Sequence, residues 1–439
     1  MINIIILAGG NGTRLWPSSV PTKPKQFMHL SNMAIYEHIL SLFEDNNLFR
    51  HIFFSANISH SKILLDKYKN NKKITFLFEE RSLGTTLATF LCINKLNKND
   101  IFLVLNVDQH LFCDDFIPNI IKGCNKVIAN NTIVLFGVDN SKNINNNDYT
   151  YIGIDEQKNI QKFYEKNTIN LQENNKYLLY TGIFIAKVGV ILKHINYISP
   201  KIIDYIKKIE EFSYQYKNRR YFFFDEDIDI VSIENILISK INANYLDYVK
   251  LNYWYDLGNW DSLKNNSSVD CNNNYSIGNI SLDNVRNSYI VSTKNITRIQ
   301  NCEDIIVINN DNGLFIKKIN DKFINFNLDD IGIIYSKWGF YIYHFQSKYF
   351  VIKSLFFTFK GATSLQKHLL RDEYVFVIKG KILLQYNKGR YILKENEIFF
   401  IEKYNIHKIT NVNIKGESVV LELQIGKDIT ETDIIRYQI

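Results

Sequence analysis

The feature that most constrains the fold is a short apolar run at the amino end that stops at a group of glycines. Residues Ile2–Ala8 are apolar except for Asn3, and Gly9, Gly10 and Gly12 follow. Such a run is typical of a strand that is buried on both faces in a parallel sheet. Glycines directly after the strand predict a tight turn whose backbone can approach a ligand closely. Successive N–H groups in such a turn form a cradle for an anion.

Two cations follow this turn. Arg14 directly precedes the segment Leu15–Ser19, and Lys25 lies within the segment Pro24–Phe27. Several N–H donors and two positive charges near one turn suit a triphosphate. A glycine turn after a strand is by itself most often only a turn, and this spacing is neither the P-loop nor the Rossmann pattern. The complete string is much more specific than the turn alone.

Apolar segments alternate with helical patterns over the first part of the chain. The predicted strands are Ile2–Ala8, His51–Ser55, Ile74–Glu79, Ile101–Val107 and Thr132–Val138, and the predicted helices include Ile35–Phe43 and Gly84–Leu96. This alternation predicts an α/β fold in which helices cover both faces of a parallel sheet. Ligands of such sheets bind at the carboxyl ends of the strands, where the glycine turn and Asp108 both fall.

The pattern changes near residue 265. Residues 266–330 are rich in asparagine and contain short β-type segments, which predict a small β linker domain. From residue 331 onward the chain consists of short strand-like segments such as Lys381–Tyr386, which are typical of a sandwich or a double-sheet barrel. We therefore expect three domains, with boundaries at 1–265, 266–330 and 331–439.

Composition and charge argue against several classes of function. The 439 residues include 52 basic and 45 acidic side chains, and the net charge of +7 is spread without a basic arm. Because no nucleic-acid-binding motif is present, we expect no nucleic-acid partner, although the excess charge would attract anionic nucleotides. No apolar run approaches the roughly 18 residues that a membrane helix needs, so we expect no membrane partner.

The cysteines indicate the compartment. The chain has five of them, without Cys-x-x-Cys spacing, at Cys92, Cys113, Cys124, Cys271 and Cys302. This scatter argues against a disulfide framework and against a cysteine-ligated zinc site, and it is typical of a reducing compartment. We expect a cytoplasmic protein. The sequence leaves its oligomeric state open, and a homo-oligomer is compatible with it.

The string from Leu7 to Pro17, together with Pro24–Phe27, resembles the signature of sugar-nucleotide pyrophosphorylases, and especially of their mannose-1-phosphate guanylyltransferase branch. The resemblance implies a Rossmann-like nucleotidyltransferase domain with a mixed, mostly parallel sheet. It implies an enzyme that makes GDP-mannose and pyrophosphate from GTP and α-mannose 1-phosphate, for polysaccharide or glycoconjugate synthesis. The nucleotide-binding residues that it implies are Leu7, Ala8, Gly9, Gly10, Gly12, Thr13, Arg14 and Lys25.

Two aspartates are candidate ligands of Mg²⁺. Nucleotidyl transfer depends mostly on positioning and on neutralising the triphosphate charge, and Mg²⁺ held by one or two carboxylates is the usual neutraliser. A single aspartate at a strand end, as at Asp108 or Asp256, is more often structural. The resemblance favours metal binding, because Asp108 matches the family's Leu-Pro-x-Asp, with Asn106 replacing the proline. Asp256 is the first residue of the segment Asp256–Trp260, which matches the family's Asp-x-Gly-x-Trp motif.

Other segments match the family's sugar-binding elements. The family's Phe-x-Glu-Lys-Pro element matches a segment that ends at Lys166, with Asn167 in place of the proline. The resemblance implies that Lys166 binds the phosphate of the sugar and that Glu165 binds a sugar hydroxyl. It also implies that Thr181 and Gly182 line the sugar pocket. Without the resemblance, Glu165 and Lys166 are an ordinary exposed charge pair.

Several departures from the family pattern leave the base and the sugar open. Gly84 stands where the family has an asparagine, Asp148 and Thr150 stand for glycines, and Glu234 stands for an aspartate. The substitutions at Gly84, Asp148 and Asn167 favour an alternative hypothesis, a degenerate regulatory protein that binds a nucleotide without transferring it. Retention of both cations and both aspartates argues against that alternative.

One spacing stands out in the last domain, namely Gln366-x-His368-x4-Glu373, followed later by His407. Residues two apart on a strand point to the same face, and this mixed oxygen and nitrogen set suits Zn²⁺ or a similar divalent ion. Single Gln, His and Glu residues on strands are otherwise usually surface residues. The set resembles the paired motifs of cupins, and specifically the mannose-6-phosphate isomerase domain that is fused to bacterial guanylyltransferases.

That resemblance implies a second activity, the interconversion of mannose 6-phosphate and fructose 6-phosphate. Such an isomerisation needs a metal to polarise the carbonyl and a base to move a proton. Here part of the family's histidine-rich run is replaced, and the family's arginine-containing tail is absent after Arg436. Arg371 and Arg436 are the candidate phosphate contacts that remain. We expect a weak or inactive isomerase, with a bifunctional enzyme as the alternative.

Overall fold

The computed structural model describes most of the chain as two compact units. The described residues are 1–10, 13–20, 23–29, 33–79, 82–111, 113–139, 149–165, 176–211, 213–222, 232–265, 267–294, 296–319, 321, 332–336, 338–413, 416–427, 429 and 433–437. One unit comprises residues 1–57 and 68–323, and the other comprises residues 58–67 and 324–439. The three-domain division stays a prediction.

The helices lie almost entirely in the first two-thirds of the chain. The α-helices are α1 (Ile35–Ser41), α2 (Ser61–Tyr68), α3 (Gly84–Ile93), α4 (Cys113–Asn130), α5 (Val188–Ile198), α6 (Lys201–Glu211), α7 (Ile233–Ile236) and α8 (Trp260–Asn265). Short 3₁₀ helices cover Thr13–Leu15, Lys25–Phe27, Ile58–His60, Ile238–Lys240 and Ala243–Tyr245. In the described residues, no helix has both the length and the apolar character that are needed to cross a bilayer.

Strands make up the rest of the regular structure. Up to residue 256 they are β1 (Ile2–Ala8), β2 (Phe49–Asn57), β3 (Ile74–Glu79), β4 (Ile101–Asn106), β5 (Gln109–His110), β6 (Ile133–Asp139), β7 (Tyr151–Ile154), β8 (Ile160–Tyr164), β9 (Lys176–Lys187), β10 (Tyr214–Tyr216), β11 (Arg219–Phe222), β12 (Leu246–Leu251) and β13 (Tyr255–Asp256). The next six are β14 (Tyr275–Ile277), β15 (Ile280–Arg286), β16 (Tyr289–Ser292), β17 (Thr297–Glu303), β18 (Ile305–Asn310) and β19 (Gly313–Lys318). The last are β20 (Ile333–Ser336), β21 (Gly339–Gln346), β22 (Phe350–Phe357), β23 (Leu365–His368), β24 (Arg371–Lys379), β25 (Lys381–Tyr386), β26 (Gly389–Lys394), β27 (Ile398–Ile401), β28 (His407–Asn411), β29 (Ser418–Gly426) and β30 (Ile434–Tyr437).

A large mixed sheet forms the centre of the first unit. Its strand order is β10-β11-β3-β2-β1-β4-β9-β6-β12, with β7 and β8 attached at β9. The strands from β11 to β4 in this order are parallel to one another, while β9 runs antiparallel to both of its neighbours. The predicted mixed, mostly parallel α/β sheet is confirmed, and the antiparallel β9 is the element that simple alternation does not predict.

Strand β1 lies in the middle of this sheet and aligns the carboxyl ends of its neighbours. All seven of its residues are buried, and the one polar side chain, Asn3, donates to the carbonyl of Ile101 at 3.3 Å. Leu7 pairs with Ser55 on β2 and with Asn106 on β4. The glycine turn, Ser55 and Asn106 therefore meet at one edge of the sheet.

The asparagine-rich segment forms parallel β layers in the same unit. Strands β14, β16 and β18 are parallel, as are β15 and β17. Asn284 and Asn301 both have a positive φ, which asparagine tolerates better than most residues, and Asn284 Nδ2 donates to Asn301 Oδ1 at 2.8 Å. The Nε1 of Trp260 donates to the carbonyl of Trp16 at 3.2 Å, which ties the start of α8 to the segment after the glycine turn.

The second unit contains a barrel of two sheets. Their orders are β20-β21-β22-β29-β24-β27 and β26-β25-β28-β23-β30. Alternate residues of the facing strands fill an apolar core that includes Leu355, Val375, Val377, Leu384 and Val420. The predicted double-sheet barrel is confirmed.

Candidate active site and buried metal cluster

A cavity of about 580 Å³ opens at the carboxyl edge of the large sheet. Arg14, Lys25, Asp108 and Asp256 all line it, as the sequence predicts for residues that act on one ligand. They come from four separate segments, so only the fold brings them together. The other lining residues are Thr85, Asn106, Gln109, Tyr149, Thr150, Glu165, Tyr180, Thr181, Gly182, Ser232, Glu234, Asn235, Trp254, Gly258 and Asn259.

Lys25 and Asp108 form an ion pair in this cavity. Lys25 begins a short 3₁₀ helix after Pro24, and the next residue, buried Gln26, anchors the helix by donating to the carbonyl of Ala8 at 2.9 Å. The Nζ of Lys25 donates to the carboxylate of Asp108. Burial raises the pKa of Asp108, but the charge and hydrogen bond of Lys25 outweigh burial and hold that pKa below its usual value.

Asp256 lies next to Asp108 because β13 pairs with β5. The N–H of Leu257 donates to the carbonyl of Asp108 at 3.0 Å. The carboxylate of Asp256 accepts from the N–H of Gly258 at 3.0 Å and from the hydroxyl of Tyr149 at 3.4 Å. Burial and the charge of Asp108 raise the pKa of Asp256. Two neighbouring carboxylates that repel each other are a suitable donor set for a divalent cation.

The predicted sugar-binding residues lie in the same cavity as far as they are described. Glu165, Thr181 and Gly182 line it, whereas Lys166 lies outside the described residues. The hydroxyl of buried Thr181 donates to the carbonyl of Phe136 at 2.9 Å, so this side chain supports the wall. Gly182 has a φ of +76°, and a Cβ there would lie 3.0 Å from Asn106 Nδ2; a larger residue at 182 would therefore be strained.

A second cavity of about 280 Å³ lies beside the first at the same edge. Five of the predicted nucleotide-binding residues line it, namely Leu7, Ala8, Gly9, Gly10 and Lys25. Gly12 and the side chain of Thr13 lie outside the described part of the chain. The two cavities share Lys25, Thr85, Asn106 and Asp108, so together they form a crevice with the ion pair at the junction.

Glu79 is a residue of this second cavity that the motif analysis did not select. It ends β3 and is only 2% exposed. The hydroxyl of Ser55 donates to one of its oxygens, and the N–H of Leu83 donates to the other at 2.9 Å. Burial raises its pKa to about 7. Burial of a carboxyl is costly, and a pKa that burial shifts in this way is typical of a functional group.

Three of the four predicted metal ligands in the barrel converge. One ligand atom each of His368, Glu373 and His407 lies within 4.8 Å of the others, and all three residues are buried. The Nε2 atoms of His368 and His407 lie 3.1 and 3.3 Å from the carboxylate of Glu373. Gln366 pairs in register with His407 on the next strand, and its side-chain oxygen accepts from Ser364 at 2.8 Å.

A chain of buried polar side chains continues from this cluster. The amide of Gln424 donates to Glu373 at 2.8 Å and to Glu422 at 2.6 Å, and Lys353 Nζ lies 3.0 Å from Glu422. Burial lowers the pKa of Lys353, but Glu422 and Glu373 outweigh it and raise that pKa above its usual value. Both amide hydrogens of Gln424 are used, so this chain holds the carboxylate of Glu373 in one orientation.

Arg371 differs from the expectation that it contacts a phosphate. It is 2% exposed, its Nε lies 3.3 Å from Glu373 and its guanidinium lies 3.8 Å from Asp433. Buried between two carboxylates, it is a structural partner of the cluster. Arg436 is exposed and remains the candidate for a phosphate contact.

Comparison with protein families gives two matches along the chain. Residues 3–273 match the nucleotidyl transferase family, and residues 328–438 match the mannose-6-phosphate isomerase C-terminal family. The chain belongs to the nucleotidyl transferase family. As the sequence predicts, this nucleotidyl transferase carries an isomerase-type domain after its transferase domain.

Curated relatives of this nucleotidyl transferase match over nearly their full length. Mannose-1-phosphate guanylyltransferase RfbM of Salmonella typhimurium is 23% identical over 477 residues, which cover 99% of this chain and 96% of RfbM. Mannose-1-phosphate guanylyltransferase of Sinorhizobium fredii is 23% identical over 98% of this chain and 90% of its own length. Alginate biosynthesis protein AlgA of Pseudomonas fluorescens is 23% identical over 99% of this chain and 95% of its own length.

Solved structures resemble each part of the fold. The crystal structure of mannose-1-phosphate geranyltransferase from Thermus thermophilus has a TM-score of 0.61 at 15% identity, and the match covers 73% of this chain and 96% of that one. Mannose-6-phosphate isomerase from Helicobacter pylori has a TM-score of 0.50 at 23% identity, covering 58% of this chain and 99% of that one. At these identities the likenesses establish the fold alone.

Proposed function

We propose that this nucleotidyl transferase forms GDP-mannose and pyrophosphate from GTP and α-mannose 1-phosphate. The observation that carries the proposal is the convergence of Arg14, Lys25, Asp108 and Asp256 on one cavity at the carboxyl edge of the sheet. The names of full-length relatives supply the sugar and the base. In the reaction, a phosphate oxygen of the sugar bonds to the α-phosphorus of GTP, and the bond from that phosphorus to pyrophosphate breaks.

The two cations would bind the triphosphate. Lys25 neutralises Asp108, and both residues line the junction of the two cavities. A triphosphate would supply Lys25 with a new anionic partner, and the Asp108 carboxylate would then be available to bind Mg²⁺. Arg14 is exposed at the rim, where its guanidinium suits a phosphate oxygen. Because these positive charges are already in place, the site needs little reorganisation when negative charge develops on the leaving pyrophosphate.

Asp108 and Asp256 are the residues that would hold Mg²⁺. Two carboxylates fit this ion because it prefers oxygen ligands and usually takes only one or two carboxylates from the protein. The raised pKa of Asp256, caused by burial and by Asp108, supports this assignment because a cation would relieve the repulsion between the two carboxylates. When bound, Mg²⁺ would neutralise part of the triphosphate charge.

Glu79 offers a physical basis for selecting guanine. A carboxylate has about four acceptor sites, of which Ser55 and Leu83 use two. Guanine presents neighbouring N–H donors on its Watson–Crick edge, and a buried carboxylate can accept from both. A base without such a pair of donors would leave the two remaining acceptor sites of the carboxylate unsatisfied in the cavity, which is costly.

The reaction itself tests this proposal. Purified protein with Mg²⁺, GTP and mannose 1-phosphate should release pyrophosphate, and omission of the sugar phosphate should abolish the release. A matrix of nucleoside triphosphates against sugar 1-phosphates then assigns base and sugar. Tight GTP binding with no pyrophosphate release under any sugar phosphate would instead support the degenerate regulatory protein.

The barrel cluster supports a second site, which we propose binds Zn²⁺ or a similar divalent ion. The two imidazoles and one carboxylate match that chemistry. The buried Nε2 atoms of His368 and His407, which lie nearest to Glu373, have no hydrogen-bond partner of good geometry among the described residues, so both are available to an ion. The ion would polarise a sugar carbonyl, while the departures from the family pattern still predict weak isomerase activity or none.

Metal binding tests this second site. After removal of any purification tag and dialysis against Zn²⁺, the wild-type protein should retain about one equivalent by elemental analysis. His407→Ala should lower the affinity at least about 10²-fold, a loss that is common for one missing ligand, whereas His344, which lies outside the cluster, should be replaceable by alanine without effect. Turnover of mannose 6-phosphate in the metal-loaded protein decides between the inactive domain and the bifunctional enzyme. The cytoplasmic location stays a prediction.

A further inference from the structure

The turn that joins β18 to β19 in the asparagine-rich layers lies against the segment that follows the glycine turn. The Nδ2 of Asn312 donates to the carbonyl of Pro17 at 2.9 Å, and the Nδ2 of Asn310 donates to the hydroxyl of Ser18 at 3.4 Å. These partners are 295 and 292 residues apart in the chain, so only the fold brings them together. We call residues 310–313 the β18–β19 turn.

Gly313, the last residue of this turn, fits closely against the indole of Trp16. It has a φ of +151°, and a Cβ there would lie 2.6 Å from Cζ2 and 2.7 Å from Cη2 of Trp16. Because these atoms belong to a rigid ring, a larger residue would displace either the turn or Trp16. The carbonyl of Trp16 also accepts from Trp260. Trp16 is therefore held at both its ring and its backbone.

Arg14 is placed by this held segment. The residue between it and Trp16, Leu15, is fully buried and belongs to an apolar core that also contains Ile306 and Ile308 of β18. The side chain of Arg14 is exposed and lines the first cavity. Since an exposed side chain is only loosely fixed, the reach of the guanidinium depends on where the backbone holds Arg14.

The same apolar core supports the rest of the cavity. It contains Leu257, which directly follows Asp256, and Met28, which lies three residues after Lys25. Strand β16 of the asparagine-rich layers contributes Tyr289 to it. The layers therefore form part of the packing behind three segments of the transferase site, and the β18–β19 turn adds direct hydrogen bonds to one of them.

We infer that the β18–β19 turn positions Arg14 for nucleotidyl transfer, a role that rests on the proposed function. Asn312 and Gly313 are then positioning residues, because both lie outside the residues that line the two cavities. Groups that bind a reacting substrate need support from a second layer of packed and hydrogen-bonded residues. A misplacement of about 1 Å can cost roughly 10²-fold in rate.

Two substitutions in the turn test this role. Asn312→Ala removes the hydrogen bond to Pro17 from an exposed residue and should lower kcat/KM for GTP about tenfold, with KM for mannose 1-phosphate unchanged. Gly313→Ala should lower it about 10²-fold. The matched control is Asp311→Ala, because Asp311 lies in the same turn but pairs with Lys294; this variant should stay within about twofold of the wild type. Thermal melting checks that each variant is folded.

A double-mutant cycle with Arg14 separates positioning from a general loosening of the fold. If Asn312 acts through Arg14, adding Asn312→Ala to Arg14→Ala should lower kcat/KM for GTP by no more than about twofold further, since residues of one network are not additive. An equal tenfold loss in both backgrounds overturns the inference. Wild-type kcat/KM in folded Asn312→Ala and Gly313→Ala also overturns it, and so does an equal loss in Asp311→Ala.

The affinity for GTP distinguishes this role from the proposed function. Calorimetric titration with GTP and Mg²⁺ applies the same cycle to binding, which does not require turnover. A chain that binds GTP without releasing pyrophosphate defeats the proposed function, but weaker binding in Asn312→Ala that vanishes in the Arg14→Ala background still supports the positioning role. In such a chain, equal affinity in the wild type and Asn312→Ala overturns it.

Discussion

Asp256→Asn should lower the rate of pyrophosphate release at least about 10³-fold while the protein stays folded. The substitution keeps the side-chain oxygen that accepts from Gly258 but removes the negative charge beside Asp108. Metal-assisted charge neutralisation contributes several kcal/mol to such reactions, and each 1.4 kcal/mol is about tenfold in rate. The decisive measurement is the rate at saturating GTP and mannose 1-phosphate as Mg²⁺ is increased.

Asp261→Asn is the matched control for this prediction. Asp261 lies in the same segment but pairs with Lys317 away from the cavity, so its loss should leave the rate within about twofold. A variant at position 256 with the wild-type rate and the wild-type dependence on Mg²⁺ would refute the metal role of Asp256.

Glu79→Gln should weaken the selection of guanine. We expect kcat/KM for GTP to fall about 10²-fold, because hydrogen bonds to a charged group contribute about 1.5–3 kcal/mol each. Replacing the carboxylate leaves one acceptor and adds a donor where guanine also donates. Inosine triphosphate lacks one of the two donors. The substitution should therefore lower kcat/KM for inosine triphosphate by a smaller factor than kcat/KM for GTP. Initial rates with the two nucleotides measure the change.

The pH dependence gives an independent readout for Glu79. Since burial raises its pKa to about 7, the carboxylate that accepts from guanine is formed as the pH rises through that value. KM for GTP should therefore fall between about pH 6 and pH 8 in the wild-type protein and change less in Glu79→Gln. Glu156→Gln, at an exposed position in the turn after β7, should behave as the wild type. Equal base selectivity in wild type and Glu79→Gln would remove Glu79 from base recognition.

The sequence predicts best those strands that are recognisable from their own run of apolar residues. Strands β1, β3 and β25 begin and end at the predicted residues, because continuous or alternating apolar residues determine them locally. Lys25 and Asp108 are 83 residues apart, and β9 pairs with β4 and β6, which lie far before it in the chain. A local sequence pattern contains neither relationship.

The residues that sequence reasoning missed owe their roles to neighbouring strands. Glu79 is recognisable only when Ser55 on β2 and the turn at Leu83 are placed beside it. Lys353 is half of a buried pair whose other member, Glu422, lies on the paired strand β29. The only local signal at Lys353 is a charged residue between inward-facing Val351 and Leu355.

The central claim is that Asp108 and Asp256 together hold the divalent ion at the nucleotide site. Anomalous diffraction from crystals grown with Mn²⁺ and GDP-mannose measures this directly. The account predicts one strong manganese peak within coordination distance of both carboxylates and of the nucleotide phosphates. A bound nucleotide whose manganese peak lies away from both aspartates would contradict it.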